Sequence, residues 1–138
     1  MEPFEGIADA DAMLGRPFPL PALALPLGRW VEVMPSGSGA EVVWNLDDTR
    51  PGAPARLALY AGSVPAAPRD LRDVSPDREL DVGGAPGLLR SAPLTEAEPS
   101  LRPVHELRWK AGGLHLRLTA QGPWSIERLT QIAASVGA

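Results

Sequence analysis

Toward the carboxy-terminal end of the chain, apolar and polar residues alternate with a period of two. Val104 to Lys110 and Leu114 to Thr119 flank Gly112-Gly113, a pair suited to a two-residue hairpin turn because both central positions need positive φ. With these glycines at the tip, Leu107 falls opposite Leu118, Trp109 opposite Leu116, and Ala111 opposite Leu114. All three pairs are apolar. A slip of one residue would turn each of them to the opposite face, so the pattern specifies the register. From about Trp124 to Val136 the period becomes helical: Ile126, Leu129, Ile132, Ala133 and Val136 form one stripe, Ser125 suits the N-cap, and Gly137 closes the element. This stripe predicts a helix lying on the sheet face that carries Trp109 and Leu116.

Earlier segments repeat the strand pattern more weakly. Trp30 to Met34 and Glu41 to Leu46 flank Pro35-Ser36-Gly37-Ser38-Gly39, which reads as a hairpin with a loop longer than two residues. Val42, Trp44 and Leu46 share one face, and in Arg56 to Ala61 the inward positions are Leu57, Leu59 and Ala61. Glu79 to Val82 and Leu88 to Arg90 read as two short strands around Gly83-Gly84-Ala85-Pro86-Gly87. The stretches 47–54, 62–76 and 95–103 read as loops. Near the amino terminus, Ile7 to Leu14 predicts a short helix stopped by Gly15 and Pro17, with Asp9 and Asp11 in its opening turn favoured by the helix dipole. The prolines between Phe18 and Leu27 impose an extended path, and its apolar character lays it across the core. The sum is an α+β fold in one domain spanning 1–138: an antiparallel sheet of about five to seven strands packed against a C-terminal helix, with a short N-terminal helix.

Composition narrows the function classes. Gly and Pro make 30 of the 138 residues and gather between apolar runs, which favours a β-rich domain with long connections over a helical bundle. The net charge is −4, and twelve Arg and one Lys (Lys110) are interleaved with Asp and Glu. No basic block exists to serve as a nucleic-acid footprint. Zero cysteines exclude disulfides, thiol catalysis and thiolate metal sites. The opening residues show no basic region followed by an apolar run, and the greasiest stretch is broken by Pro19, Pro21 and Pro26, so neither a secretion signal nor a membrane span is expected. A cytoplasmic location follows as the expectation.

Candidate chemistry is sparse. His105 shares the parity of Leu107 and Trp109, whereas His115 lies opposite Lys110 on the polar face, so the two imidazoles are not expected to share a metal or a proton relay. Asp9 and Asp11 open like a calcium loop but lack its further ligands, and Asp47-Asp48 precedes a turn. The glycine-rich pieces fit neither a phosphate cradle nor a nucleophile elbow. Of the four tryptophans, Trp44 and Trp109 are in phase with core positions, while Trp30 and Trp124 stand at element ends and are the candidate binding surface. No catalytic, cofactor-binding or metal-ligating residue is assigned, and no cofactor is expected.

A short helix ending Ala12-Met13-Leu14-Gly15, then Phe18-Pro19-Leu20-Pro21 and Pro26-Leu27-Gly28, resembles a bacterial domain of unknown function. That domain occurs behind membrane anchors in anti-sigma-factor-like proteins and in some lipoproteins. At the far end, Leu107-Arg108-Trp109, Gly112-Gly113-Leu114 and the helix ending Ile132-Ala133-Ala134-Ser135-Val136 are similar to that family's closing hairpin and helix. These pieces are short and apolar. They imply shared packing, and they carry no catalytic residue across. The chain departs from the family in showing no membrane anchor or export signal.

The leading expectation is therefore a non-enzymatic interaction or regulatory module with a protein partner, and open strand edges would also allow a homodimer. The alternative is a small apolar-ligand carrier with a cleft between helix and sheet. A hydrolase is the third reading, and it requires His105 within hydrogen-bond reach of a carboxylate or hydroxyl in a cleft.

Overall fold

A computed structural model of the chain describes residues 3–22, 28–46, 56–65, 78–92, 104–122 and 124–137; the side chains of 3–8, 28–31, 45 and 46 lie outside that description. The elements run α1 (Pro3–Leu14), β1 (Gly28–Ser36), β2 (Gly39–Leu46), β3 (Arg56–Gly62), β4 (Arg78–Val82), β5 (Ala85–Ala92), β6 (Val104–Ala111), β7 (Leu114–Gln121) and α2 (Ile126–Ala134). All seven strands join one antiparallel sheet in the order β1-β2-β3-β7-β6-β5-β4. The α+β class and the antiparallel sheet are as expected, with the strand number at the top of the expected range.

The topology is two meanders sewn together. Strands β1 to β3 pair in sequence, strands β4 to β7 pair in sequence, and β3 pairs with β7 from Arg56 opposite Gln121 to Gly62 opposite His115. The closing hairpin has the expected register, with Leu107 opposite Leu118, Trp109 opposite Leu116 and Ala111 opposite Leu114. Gly112 and Gly113 turn at φ of 60° and 77°, which side chains rarely adopt.

One face of the sheet is the core. Val42, Leu57, Leu59, Ala61, Leu107, Trp109, Leu116 and Leu118 cluster with Leu129, Ile132 and Ala133 of α2 and with Ala10 of α1. Helix α2 is capped as expected: Ser125 is extended, and its hydroxyl accepts the Arg128 N–H at 3.1 Å. The described start of the proline-rich stretch meets the core as expected, since Phe18 is buried in the same cluster; residues 23–27 lie outside the described set. Its continuation is tied to the end of α2, where Pro21 bridges Val136 and the Gly137 N–H donates to the Leu20 carbonyl at 3.1 Å.

Several boundaries differ from the sequence reading. Helix α1 begins at Pro3, so Asp9 and Asp11 fall in its second half, and Asp11 Oδ1 accepts the Phe18 N–H at 2.6 Å. Both loops read as long are tight. Ser36 pairs with Gly39 and Val82 with Ala85, leaving two-residue turns at Gly37-Ser38 and Gly83-Gly84. Pro35 and Pro86 thus sit inside strands. In a two-residue hairpin the closing pair exchanges hydrogen bonds, so one step back the N–H that proline lacks faces away from the hairpin partner. For Pro35 that direction is the outer edge of the sheet, and for Pro86 it lies just past the end of the β5–β6 ladder at Gly87. Ile7, Leu46 and the loops over 47–54, 66–77 and 93–103 include side chains or residues outside the described set.

Leu118 is central in β7 and fully enclosed. Leu118→Ala is expected to lower unfolding free energy by about 3 kcal/mol, whereas Leu88→Ala, on a side chain 38% exposed, costs under about 1 kcal/mol. Urea denaturation of the two variants checks both.

Candidate functional site

The second face of the sheet differs from an ordinary solvated face. In β3, Leu57, Leu59 and Ala61 point to the core as expected, yet Ala58 and Tyr60 on the other side are buried as well. Cross-strand pairing builds two rows of side chains on this face. One runs Met34, Glu41, Tyr60, Arg117, Arg108, Leu88 and Glu79 from β1 to β4. Its neighbour includes Val43, Ala58, Thr119, Glu106 and Arg90.

Charge is buried here in pairs. Glu106 is 0% exposed, and Arg90 donates to both of its oxygens from Nε and Nη2 at 3.2 Å each. Arg108 Nε lies 3.6 Å from the same carboxylate. In the neighbouring row, Arg117 donates to Glu41 at 3.0 Å, and its guanidinium stands 5.8 Å from the centre of the Tyr60 ring. The Tyr60 hydroxyl donates to the Val64 carbonyl at 2.7 Å, while the Val64 N–H donates to Ser38 Oγ at 3.0 Å. These bonds tie the tip of the β1–β2 hairpin to the exit of β3. A Cβ at position 62 would strike the Tyr60 hydroxyl and Ser38 Oγ, so a side chain there would displace these bonds. Thr119 Oγ1 is buried and has no hydrogen-bond partner among the described residues.

Beside these pairs lies a cavity of about 240 Å³, lined by Pro86 and Leu88 of β5, Arg108 and Lys110 of β6, and His115 and Arg117 of β7. A wider hollow of about 680 Å³ shares Pro86 and Leu88 and continues to Glu79 and Asp81 of β4. Lys110 stands directly opposite His115, as the alternation of the closing hairpin implied. Nothing in the periodicity of these two strands indicates that they stand next to β5 and β4, so the cavity is not legible from the chain alone.

The other candidate residues are placed as follows. Trp124 is 8% exposed and belongs to the core cluster, and its Nε1–H donates to the Gln121 carbonyl at 3.1 Å. The indole is thus an internal packing element, and the surface role expected for it is corrected. Trp30 stands in β1, and its side chain lies outside the described residues. Trp109 is buried and Trp44 half-buried against the core. His105 and His115 project from opposite faces, as expected from parity.

His105 is half-buried on the helix-covered face, and its Nδ1 is 2.7 Å from Ser91 Oγ on the neighbouring strand. The hydroxyl contact required of a hydrolase is therefore present. Neither of the two cavities reaches it. Burial holds the His105 imidazole below its ordinary value of 6.5, because desolvation disfavours the charged ring. Among the described residues no group of three or more His, Asp or Glu is arranged to hold a metal ion, and no helix is long and apolar enough to cross a membrane. Comparison with protein-family models, with curated proteins and with solved structures finds no match for the chain.

Two outcomes follow from these environments. Thr119→Val keeps the shape and removes the orphaned hydroxyl, so it is expected to be neutral or to raise stability by up to about 1 kcal/mol in urea unfolding. For His105, the unfolded chain binds a proton that the folded chain excludes between the lowered value and 6.5. Stability from this group is therefore complete above 6.5 and is lost as pH falls through that window. His105→Asn is expected to show a shallower loss of urea midpoint on acidification across it than the unaltered chain.

Proposed function

We propose that this chain is a non-enzymatic interaction module that meets a protein partner through the sheet face opposite its helices. One observation carries the reading. Three of the exposed large apolar side chains, Met34 (41%), Val64 (50%) and Leu88 (38%), mark out that face. Met34 and Leu88 flank a row of four polar or charged residues from β2 to β6, and Val64 is fastened beside Tyr60 near its middle. The row spans five strand spacings, roughly 24 Å. Apolar anchors separated by paired charges suit a partner surface with matching apolar knobs and a polar surround.

The competing carrier reading needs room between α2 and the sheet. There Leu116, Leu118, Leu129 and Ile132 pack into one buried cluster, and no residue of α2 lines either hollow described above. This favours the interaction reading. A cytoplasmic setting fits a chain without cysteines, and the net charge of −4 weighs against nucleic acid as the partner.

A photo-reactive residue placed at Met34, Val64 or Leu88 in the native host, followed by mass spectrometry of the adducts, checks the proposal. The expected result is one common protein adduct from the three positions and none from Gln131, which is exposed on α2. An adduct between two copies would make the partner the chain itself. Equal labelling from Gln131, or no adduct at the three sheet positions, would defeat the reading.

A further inference from the structure

Two adjacent rows on the outer sheet face repeat the same order of chemistry. Glu79 of β4 pairs with Leu88 of β5, Leu88 with Arg108 of β6, and Arg108 with Arg117 of β7. One step toward the hairpin tips, Asp81 pairs with Pro86, and Lys110 pairs with His115. Pro86 falls in line with Lys110, since Gly87 pairs with Trp109 immediately before the ladder ends. Each row thus reads acidic, apolar, basic, basic. The two hollows on this face meet along Pro86 and Leu88, with Glu79 and Asp81 lining one and Lys110 and His115 the other.

We infer that this trough binds a small elongated zwitterion, an amino acid whose ammonium and carboxylate are separated by an apolar stem. The carboxylate goes to the β6–β7 side, against Lys110 and His115, with Arg108 and Arg117 behind them. Those guanidiniums also hold Glu106 and Glu41, which fixes their positions behind the cavity and leaves Lys110 as the cation that meets the carboxylate. The stem lies on Pro86 and Leu88, both exposed. The ammonium reaches Glu79 and Asp81. Asp81 also accepts the Gly84 N–H at 3.2 Å, so its carboxylate is anchored to the turn.

The distance between the walls sets the ligand's length. From β4 to β6 is two strand spacings, roughly 10 Å, and the charged side chains close part of that gap. An α-amino acid without a distal charge is too short to satisfy both walls. A dianion is disfavoured because its second charge would meet Glu79 and Asp81. The smaller hollow, about 240 Å³, suits one end of a small molecule rather than a whole drug-sized ligand. The inference does not depend on the protein partner proposed above, and because both readings use Leu88 the two occupants exclude each other at that side chain.

Titration calorimetry of the intact chain with ε-aminocaproate, caproate and hexylamine tests it, using NMR shifts of the Leu88 and Lys110 amides to locate binding. The expected order has ε-aminocaproate about tenfold tighter than either singly charged probe, the size of one charge-assisted contact. Lys110→Ala is expected to weaken ε-aminocaproate and caproate alike. The paired change Glu79→Gln with Asp81→Asn should remove the advantage of ε-aminocaproate over caproate without weakening caproate. Circular dichroism of each variant separates loss of binding from loss of fold. The inference is overturned if no probe binds, if caproate or hexylamine matches ε-aminocaproate in the unaltered chain, or if Lys110→Ala has no effect.

Discussion

The ladder between β3 and β7 joins two halves of the sheet that otherwise pair only with themselves. Within each half, neighbouring strands follow one another along the chain. The β3–β7 ladder instead closes a long loop, from Arg56 to Gln121 at its outer end, and must repay the entropy of that closure through what it buries. It does so on both sides. Toward the helices it sets Leu59 against Leu118 and Ala61 against Leu116, and toward the other face it sets Tyr60 against Arg117 and Ala58 against Thr119. A slip of one residue would exchange the two sets and place guanidinium in the core. One register therefore determines the apolar cluster and the charged rows together.

The two faces obey different energetics. The helix-covered face gains from apolar burial, with α1 over the β1–β2 end and α2 over the β4 and β7 region. The opposite face buries carboxylates with their guanidinium partners. Such pairs return little net stability, because desolvation offsets attraction, but breaking one leaves an uncompensated charge. Their consequence is positional. Glu106 between Arg90 and Arg108, and Glu41 with Arg117, hold long side chains in defined places next to the cavity. The Thr119 hydroxyl, opposite Glu106 in the ladder and without a partner among the described residues, marks where this polar layer is incompletely satisfied.

The proposed function rests on that positional order and not on a reactive group. The Ser91–His105 contact has the distance of a working hydrogen bond, but it lies on the covered face, away from both hollows. The open face combines exposed apolar side chains, guanidiniums held in place by Glu106 and Glu41, and an acidic outer strand. Recognition needs such features, while bond cleavage needs a nucleophile and base facing a substrate.

Much of the closing hairpin and α2 was legible because their determinants are local: Gly112-Gly113 sets a turn, alternation sets a face, Ser125 caps a helix. The tight turns at Gly37-Ser38 and Gly83-Gly84 were harder, since Pro35 and Pro86 look like loop residues unless the unpaired direction of their strands is known. Trp124 was misplaced for a related reason. It lies outside a helix, yet its N–H finds the Gln121 carbonyl and its ring closes the core. By itself the sequence determined periodicity, and periodicity determined which side chains share a face within a strand or helix. Only the tertiary structure decided which strands became neighbours. Sheet order arises from distant pairing, above all β3 with β7, and it alone brought the acids of β4, the apolar strip of β5 and the cations of β6 and β7 side by side.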